Sequence, residues 1–313
     1  MSGTVEEATR KRLAELPVRI ENLGEIRLDI LSSRDNLLQL DVGLAIEELM
    51  YFKMAGGKTI VDCTTLGLAR DVRAVRAISE ATGVNIIAGS GYYVGASHPK
   101  NMDEKTVDEI SQQMIQEITV GVGDTGIKCG ILGEIGTSWP MTKNEEKVLR
   151  AAGRAAHKTG APVNVHVWPF NRYHHQVLDI LNEEGANLER VVLSHIDEGM
   201  FDTEYPVSLL KRGCYVEFDT FGAELYFGAS GQRDPSDAER VQKVSELVKL
   251  GYASNVLISH DVCYKIMLKR FGGYGYDHLL KDVVPMFRRA GVSDDQIRTI
   301  MVENPARLLP FSQ

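Results

Sequence analysis

Residues 128–134 read KCGILGE, 161–166 APVNVH, 190–195 RVVLSH and 255–261 NVLISHD. Each is a short, nearly continuous apolar run ending on a group able to bind a metal: Glu134, His166, His195 and Asp261. A polar turn and then a stretch of helical periodicity follows each run. Strands with so little polar alternation are buried on both faces, as parallel strands covered by helices are. The steps between them, roughly 30 residues and then about twice that, match whole βα units. In a (β/α)8 barrel the carboxyl ends of the strands face the catalytic mouth. Four groups distant in sequence are therefore expected to meet there.

The same rhythm runs outward in both directions. Helix 41–55, DVGLAIEELMYFKMA, stops at Gly56-Gly57, and KTIVDCT at 58–64 is the first clear strand. Helix 70–83 leads to strand VNIIAGSGYY at 84–93, helix 103–122 to KCGILGE, helix 143–160 to APVNVH, and helix 174–185 to RVVLSH. Helix 204–213 leads to CYVEFDT at 214–220 and helix 237–251 to NVLISHD, after which helices 278–291 and 293–309 close the chain. This reading yields about seven strands, one short of the eight of a closed barrel. An open doubly wound sheet is disfavoured, because no GxGxxG follows the first strand and polar strand ends recur on nearly every unit. The expected fold class is α/β, a (β/α)8 TIM-type barrel lacking or replacing its first strand, with one domain over 1–313.

A formal charge of −8 argues against a nucleic-acid or anionic-membrane partner. No apolar run approaches the ~20 residues of a membrane span, and residues 1–16 read as a charged amphipathic helix rather than a signal peptide. Cys63, Cys129, Cys214 and Cys263 have no CxxC spacing and read as reduced thiols, so a cytoplasmic protein is expected.

Taken singly, the four strand-end groups have ordinary explanations. An interior histidine is commonly just hydrogen-bonded, and Glu134 would be satisfied by a neighbouring strand's cation. Two imidazoles and two carboxylates at equivalent strand positions instead form a metal-binding set, suited to Zn²⁺, with Mn²⁺ or Co²⁺ allowed by ligand type. Such an ion lowers the pKa of water from about 15.7 to about 7. Asp261, at the metal edge, is expected to accept the nucleophile's proton and pass it to the leaving group. Asp197, Glu198 and His260 are candidates to orient a ligand or relay protons.

The runs GGKTIVDCT (56–64), GILGEIGTSWPMT (130–142), TGAPVNVH (159–166), RVVLSHID (190–197), FDTFG (218–222), SHDVCYK (259–265), FGGYGYDH (271–278) and ENPARLL (303–309) resemble the phosphotriesterase-related family of the amidohydrolase superfamily. The likeness extends from about residue 30 to the end of the chain. It implies a barrel with two metal ions that hydrolyses esters, lactones, amides or organophosphates. Glu134 corresponds to the bridging ligand, which many members replace with a carboxylated lysine. His166 and His195 correspond to ligands of the more exposed ion and Asp261 to a ligand of the buried one. Tyr93 matches a tyrosine close to metals and substrate, a catalytic role here. The chain departs from the pattern in one respect: the family's first strand carries His-x-His, and residues 1–45 contain no histidine. Three expectations follow: a shortened or misassigned start, a variant holding a single ion on Glu134, His166 and His195, or a relative without catalysis. A missing strand would leave two sheet edges that an N-terminal segment or a partner chain must cover.

Loops after the strands set specificity on this fold. Those at 91–101, 168–175, 219–235 and 263–278 are rich in Tyr, Phe, Gly and His, as in a pocket with apolar walls and a few polar anchors. Lys265, Lys269 and Arg270 form a basic group that would attract a carboxylate, sulfonate or phosphate, or else a solvated helix face. Tyr274 and Tyr276 are candidate substrate contacts. The expected activity is hydrolysis of an ester, lactone or N-acyl amide of a small molecule, ahead of a phosphotriester, by a chain that pairs as a homodimer. The rival is a catalytically impaired relative that binds a ligand through the same mouth.

Overall fold

The computed structural model describes residues 8–199, 202–228 and 231–311. Seven parallel strands form one curled sheet in chain order: β1 (Thr59–Asp62), β2 (Asn85–Ser90), β3 (Ile131–Thr137), β4 (Val163–Val167), β5 (Val191–Leu193), β6 (Tyr215–Phe218) and β9 (Val256–Ile258). A two-stranded hairpin, β7 (Tyr226–Phe227) with β8 (Gln232–Arg233), is inserted after β6, inside a stretch read from sequence as a substrate loop. All seven barrel strands coincide with the apolar runs. Burial on both faces produced those runs, and β4 and β5 are buried at every position.

The helices between strands start where their sequences provide two reciprocal hydrogen bonds. Thr106 with Glu109, Thr142 with Glu145 and Ser236 with Glu239 each form a capping box, satisfying amide hydrogens that have no partner within the helix. Their inner faces pack on the strands to form the main core, with Leu149, Ala152, Leu181 and Val244 almost fully buried.

One strand boundary differs from the sequence reading. The run KCGILGE does not end a strand: β3 continues to Thr137, so Glu134 is its fourth residue. The pairing of β3 with β4 shifts between Leu132 and Ile135, a bulge that turns Glu134 out of the regular alternation. Gly133 makes this possible: its φ is +149°, and a Cβ there would lie 2.5 Å from the Asn164 carbonyl oxygen. Of the amphipathic helix expected over 1–16, the described part is Ala8–Glu15, and residues 1–7 lie outside the described set.

The expected missing strand shows in the topology. Among the described residues β1 pairs only with β2 and β9 only with β6, so both are edges. A cavity of about 2780 Å³ runs through the sheet's interior, from Tyr93 and Asp261 at one end to Val192, Leu257 and Leu308 at the other. The segment before β1 crosses near this opening and is stitched to the loop after β9. Gln39 donates to the Val262 carbonyl at 3.1 Å, Asn36 accepts from the Ile266 amide at 3.1 Å, and Glu48 accepts from the Lys269 and Arg270 amides at 3.0 and 2.8 Å. Beneath these bonds Leu13, Val18, Ile26 and Ile30 pack with Ala223, Leu225, Ile266 and Met267 in a second apolar cluster.

Candidate metal centre

Three of the four strand-end groups converge. One ligand atom from each of Glu134, His166 and His195 lies within 4.8 Å of the others. Glu134 Oε1 is 2.9 Å from His195 Nε2 and 3.8 Å from His166 Nδ1, and the two imidazole rings meet edge-on at 4.7 Å. Burial and the neighbouring His195 hold the His166 pKa down at about 4, leaving it a neutral imidazole with a free lone pair. Burial favours the neutral forms of His195 and Glu134 too. It is outweighed at His195 by the Asp219 and Glu134 carboxylates, which raise its pKa, and at Glu134 by His195 and His166, which lower it. A cation in this site would replace the proton that the pair now shares. One carboxylate and two imidazoles make a donor set that zinc accepts.

His195 is held in an uncommon backbone conformation, φ +59°, in the left-handed region. Its amide donates to the Asp219 carboxylate at 3.0 Å, and the same carboxylate holds Nδ1 at 2.9 Å, which leaves Nε2 turned toward Glu134. Asp219 was not among the residues expected from sequence. Its signal was present in CYVEFDT, a strand end of the same kind as the others.

Asp197, expected to orient a ligand or relay protons, bonds none of the three ligand side chains directly: its carboxylate is fully buried in an ion pair with Arg240 at 2.8 Å and accepts the Asp219 and Thr220 amides. The carboxylate that holds His195 directly is Asp219. His260 lines the same cavity but bonds to the last loop rather than to the three ligands. Its Nε2 lies 3.0 Å from the Tyr276 carbonyl oxygen, the two rings meet edge-on at 5.8 Å, and burial lowers its pKa to about 4. His260 and Tyr276 thus anchor the last loop, with Tyr276 lining the cavity.

Asp261 does not join the group of three, but it lines the mouth and acts on it through charge. Desolvation, with the Glu134 and Asp219 carboxylates, pushes its pKa up to about 7 against the pull of His195. Glu198 lines the same mouth, its carboxyl pushed well up by burial and by Asp234, Asp197 and Asp219. Tyr93 touches the centre directly: its hydroxyl is 3.1 Å from His166 Nδ1 and its ring packs edge-on against that imidazole at 4.7 Å.

Two of the three basic side chains in the last loop are held in ion pairs, and Arg270 is exposed. Lys265 pairs with Asp35, Lys269 pairs with Asp277 at 2.6 Å and lies over the Tyr51 ring, and Tyr274 stacks on His278 at 4.1 Å. Lys265 is therefore a pin between the last loop and the segment before β1.

The model of the phosphotriesterase family matches residues 12–309. The chain belongs to that family. Membership makes it a hydrolase, and the family is a metal-dependent one, in keeping with the Glu134, His166 and His195 group. Two curated relatives span nearly the whole chain. An N-acetyltaurine hydrolase of Xenopus tropicalis is 37% identical over 302 residues, covering 96% of this chain and 86% of the relative. A phosphotriesterase-related protein of Nematostella vectensis is 41% identical over 298 residues, covering 94% and 85%. Among solved structures, a resiniferatoxin-binding protein from Rhodobacter sphaeroides superposes with a TM-score of 0.95 at 38% identity, over 98% of this chain and 87% of the other. No helix among the described residues of this phosphotriesterase-family chain is long and apolar enough to cross a membrane.

Proposed function

We propose that this chain, as one barrel domain, hydrolyses a small N-acyl amide of the acyl-taurine type, using a divalent cation held by Glu134, His166 and His195. The observation that carries the reading is the Glu134–His166–His195 group itself, set in a chain 37% identical to an N-acetyltaurine hydrolase over almost its full length. When bound, zinc or a similar ion would supply acidified water and polarise the scissile carbonyl.

The chain's own residues do the rest. Asp219 fixes the His195 ring so that Nε2 faces the ion's place. Asp261, with a carboxyl pKa near neutrality, takes a proton in the mouth and returns it to the departing amine. The Tyr93 hydroxyl accepts from the His166 ring N–H and faces the mouth, where it donates its own proton in a hydrogen bond to the substrate's carbonyl oxygen. Trp168 and Phe170, packed edge-on at 5.7 Å, provide an apolar wall for the acyl group.

The deciding experiment is a panel of N-acetyltaurine, a simple lactone and a paraoxon-type triester, offered to the zinc- or manganese-reconstituted protein with metal content measured in parallel. Turnover of the N-acyl amide is the expected result. Preference for the lactone or triester would overturn the substrate assignment, and a folded protein that holds no metal would point to the non-catalytic relative. Tyr93→Phe is expected to lower kcat/KM about 10-fold, the loss of roughly one hydrogen bond, with metal content unchanged. Equal kcat/KM for the two proteins would remove Tyr93 from the chemistry.

A further inference from the structure

Behind the metal-centre residues lies a buried chain of charges that ends on the Asp219 backbone. Arg240, on helix Asp237–Lys249, is a charged side chain with no exposed surface. Its Nε donates to Asp197 Oδ2 at 2.8 Å and its Nη2 donates to the Thr220 hydroxyl at 2.6 Å, while Thr220 Oγ1 in turn donates to Asp197 Oδ2. The Asp197 oxygens also accept the amides of Asp219 and Thr220, at 3.3 and 3.2 Å. From the other side Asp237 holds Arg240 Nη1 at 3.2 Å and the Gly222 amide at 2.8 Å. The backbone from 219 to 222, where β6 gives way to its loop, is therefore held on both sides by side chains that touch neither the mouth nor a ligand.

This arrangement is costly. Taking a guanidinium and two carboxylates out of water is offset only when geometry and hydrogen bonding are nearly complete. An apolar trio of similar volume would stabilise the same packing at least as well, so stability alone is a weak reason for it. What the ions fix, and an apolar trio would not, is the direction of the Asp219 and Thr220 amides. That direction sets where the Asp219 carboxylate points, and hence the His195 ring.

We propose that Arg240, acting with Asp197 and Thr220, is a positioning residue of the metal centre: it fixes the end of β6 so that Asp219 holds His195 Nε2 toward Glu134. This rests on the assignment of Glu134, His166 and His195 as metal ligands, and the experiment separates the two ideas. Zinc affinity is measured by competition with a chromophoric chelator for the full-length wild type, Arg240→Met, Arg240→Lys and Thr220→Val. Arg70→Met, which breaks a buried ion pair away from the centre, serves as the destabilised control. In the zinc-free proteins the nitrogen-15 and proton signals of the His195 ring report on its bond to Asp219 directly.

The expected result is a fall in zinc affinity of about 10-fold for Arg240→Met and Thr220→Val, at the low end of what losing a ligand's hydrogen-bond partner costs. Arg240→Lys should recover part of it. The His195 Nδ1 proton signal should shift or broaden in the first two and stay unchanged in Arg70→Met, whatever its melting temperature. Should Arg240→Met fail to fold, Thr220→Val, which keeps the charges and removes one hydroxyl, decides the matter. Wild-type affinity and an unmoved His195 signal in folded Thr220→Val and Arg240→Lys would overturn the proposal. A wild type that binds no zinc would overturn the ligand assignment instead, while the ring signals still decide the positioning role.

Discussion

Glu134→Ala is expected to lower kcat/KM for the N-acyl amide by roughly 10³-fold or more, the scale of removing metal-assisted catalysis, and to strip the protein of tightly held zinc. Glu134 contributes the sole carboxylate of the three-residue group and sits between both imidazoles, at 2.9 Å from one and 3.8 Å from the other. Without it two neutral donors remain, too few to retain a divalent ion against water. The variant should nevertheless fold, because His195 keeps its bonds to Asp219. Its stability at neutral pH should fall, because His195 and His166 hold the Glu134 pKa down in the folded state and the variant loses that pairing. The loss is partly offset by relief of the repulsion that, with burial, lifts Glu217 to about 8. Elemental analysis, steady-state kinetics and urea unfolding read the three parts separately. Retention of full activity in a zinc-free Glu134→Ala protein would falsify the assignment of the centre.

Glu117→Gln is expected to cost about 3–5 kcal/mol at neutral pH, as breaking a buried ion pair does, and to flatten the loss of stability in acid. Arg70 grips Glu117 with two parallel bonds of 2.7 and 2.9 Å, the Ser90 hydroxyl adds a third at 2.7 Å, and the side chains are 3% and 8% exposed. Burial by itself would raise the Glu117 pKa. Arg70, Ser90 and Gln113 outweigh it and hold it below the usual 4.5. A carboxylate depressed in the folded state stabilises fully above its unfolded pKa, and that contribution is lost as pH falls through the folded one. Between about pH 5 and that lower value, the wild type should lose stability more steeply than the glutamine variant. Denaturation midpoints at pH 7, 5, 4 and 3 test both statements. A neutral-pH difference under about 1 kcal/mol, or parallel acid limbs, would show that the pair is energetically idle.

Much of this protein was legible along the chain. The seven strands could be read because each is buried on both faces, and burial writes itself as an unbroken apolar run whatever the neighbours are. Glu134, His166 and His195 could be read for a related reason. A polar group at the end of an apolar run needs a partner to offset its desolvation, and three such groups at equivalent places suggest a shared one.

Other parts were hidden because contacts between distant residues decide them. Lys265 looks like an anion anchor until Asp35, 230 positions earlier, is seen to hold it. The exchange of roles between Asp197 and Asp219 is of the same kind: both are aspartates just past a strand end, and sequence offers no means of ranking them. The left-handed turn at His195 sends Asp197 back into the protein toward Arg240, while Asp219 reaches across from the neighbouring strand to the imidazole. Sequence alone determined which strands exist, the family, and which side chains are able to bind a metal, since these depend on burial period and residue type. Tertiary structure alone decided which carboxylate orients His195, where the bulge at Gly133 aims Glu134, and what the basic loop is for. Those outcomes depend on backbone direction and long-range pairing, which local residue patterns do not encode.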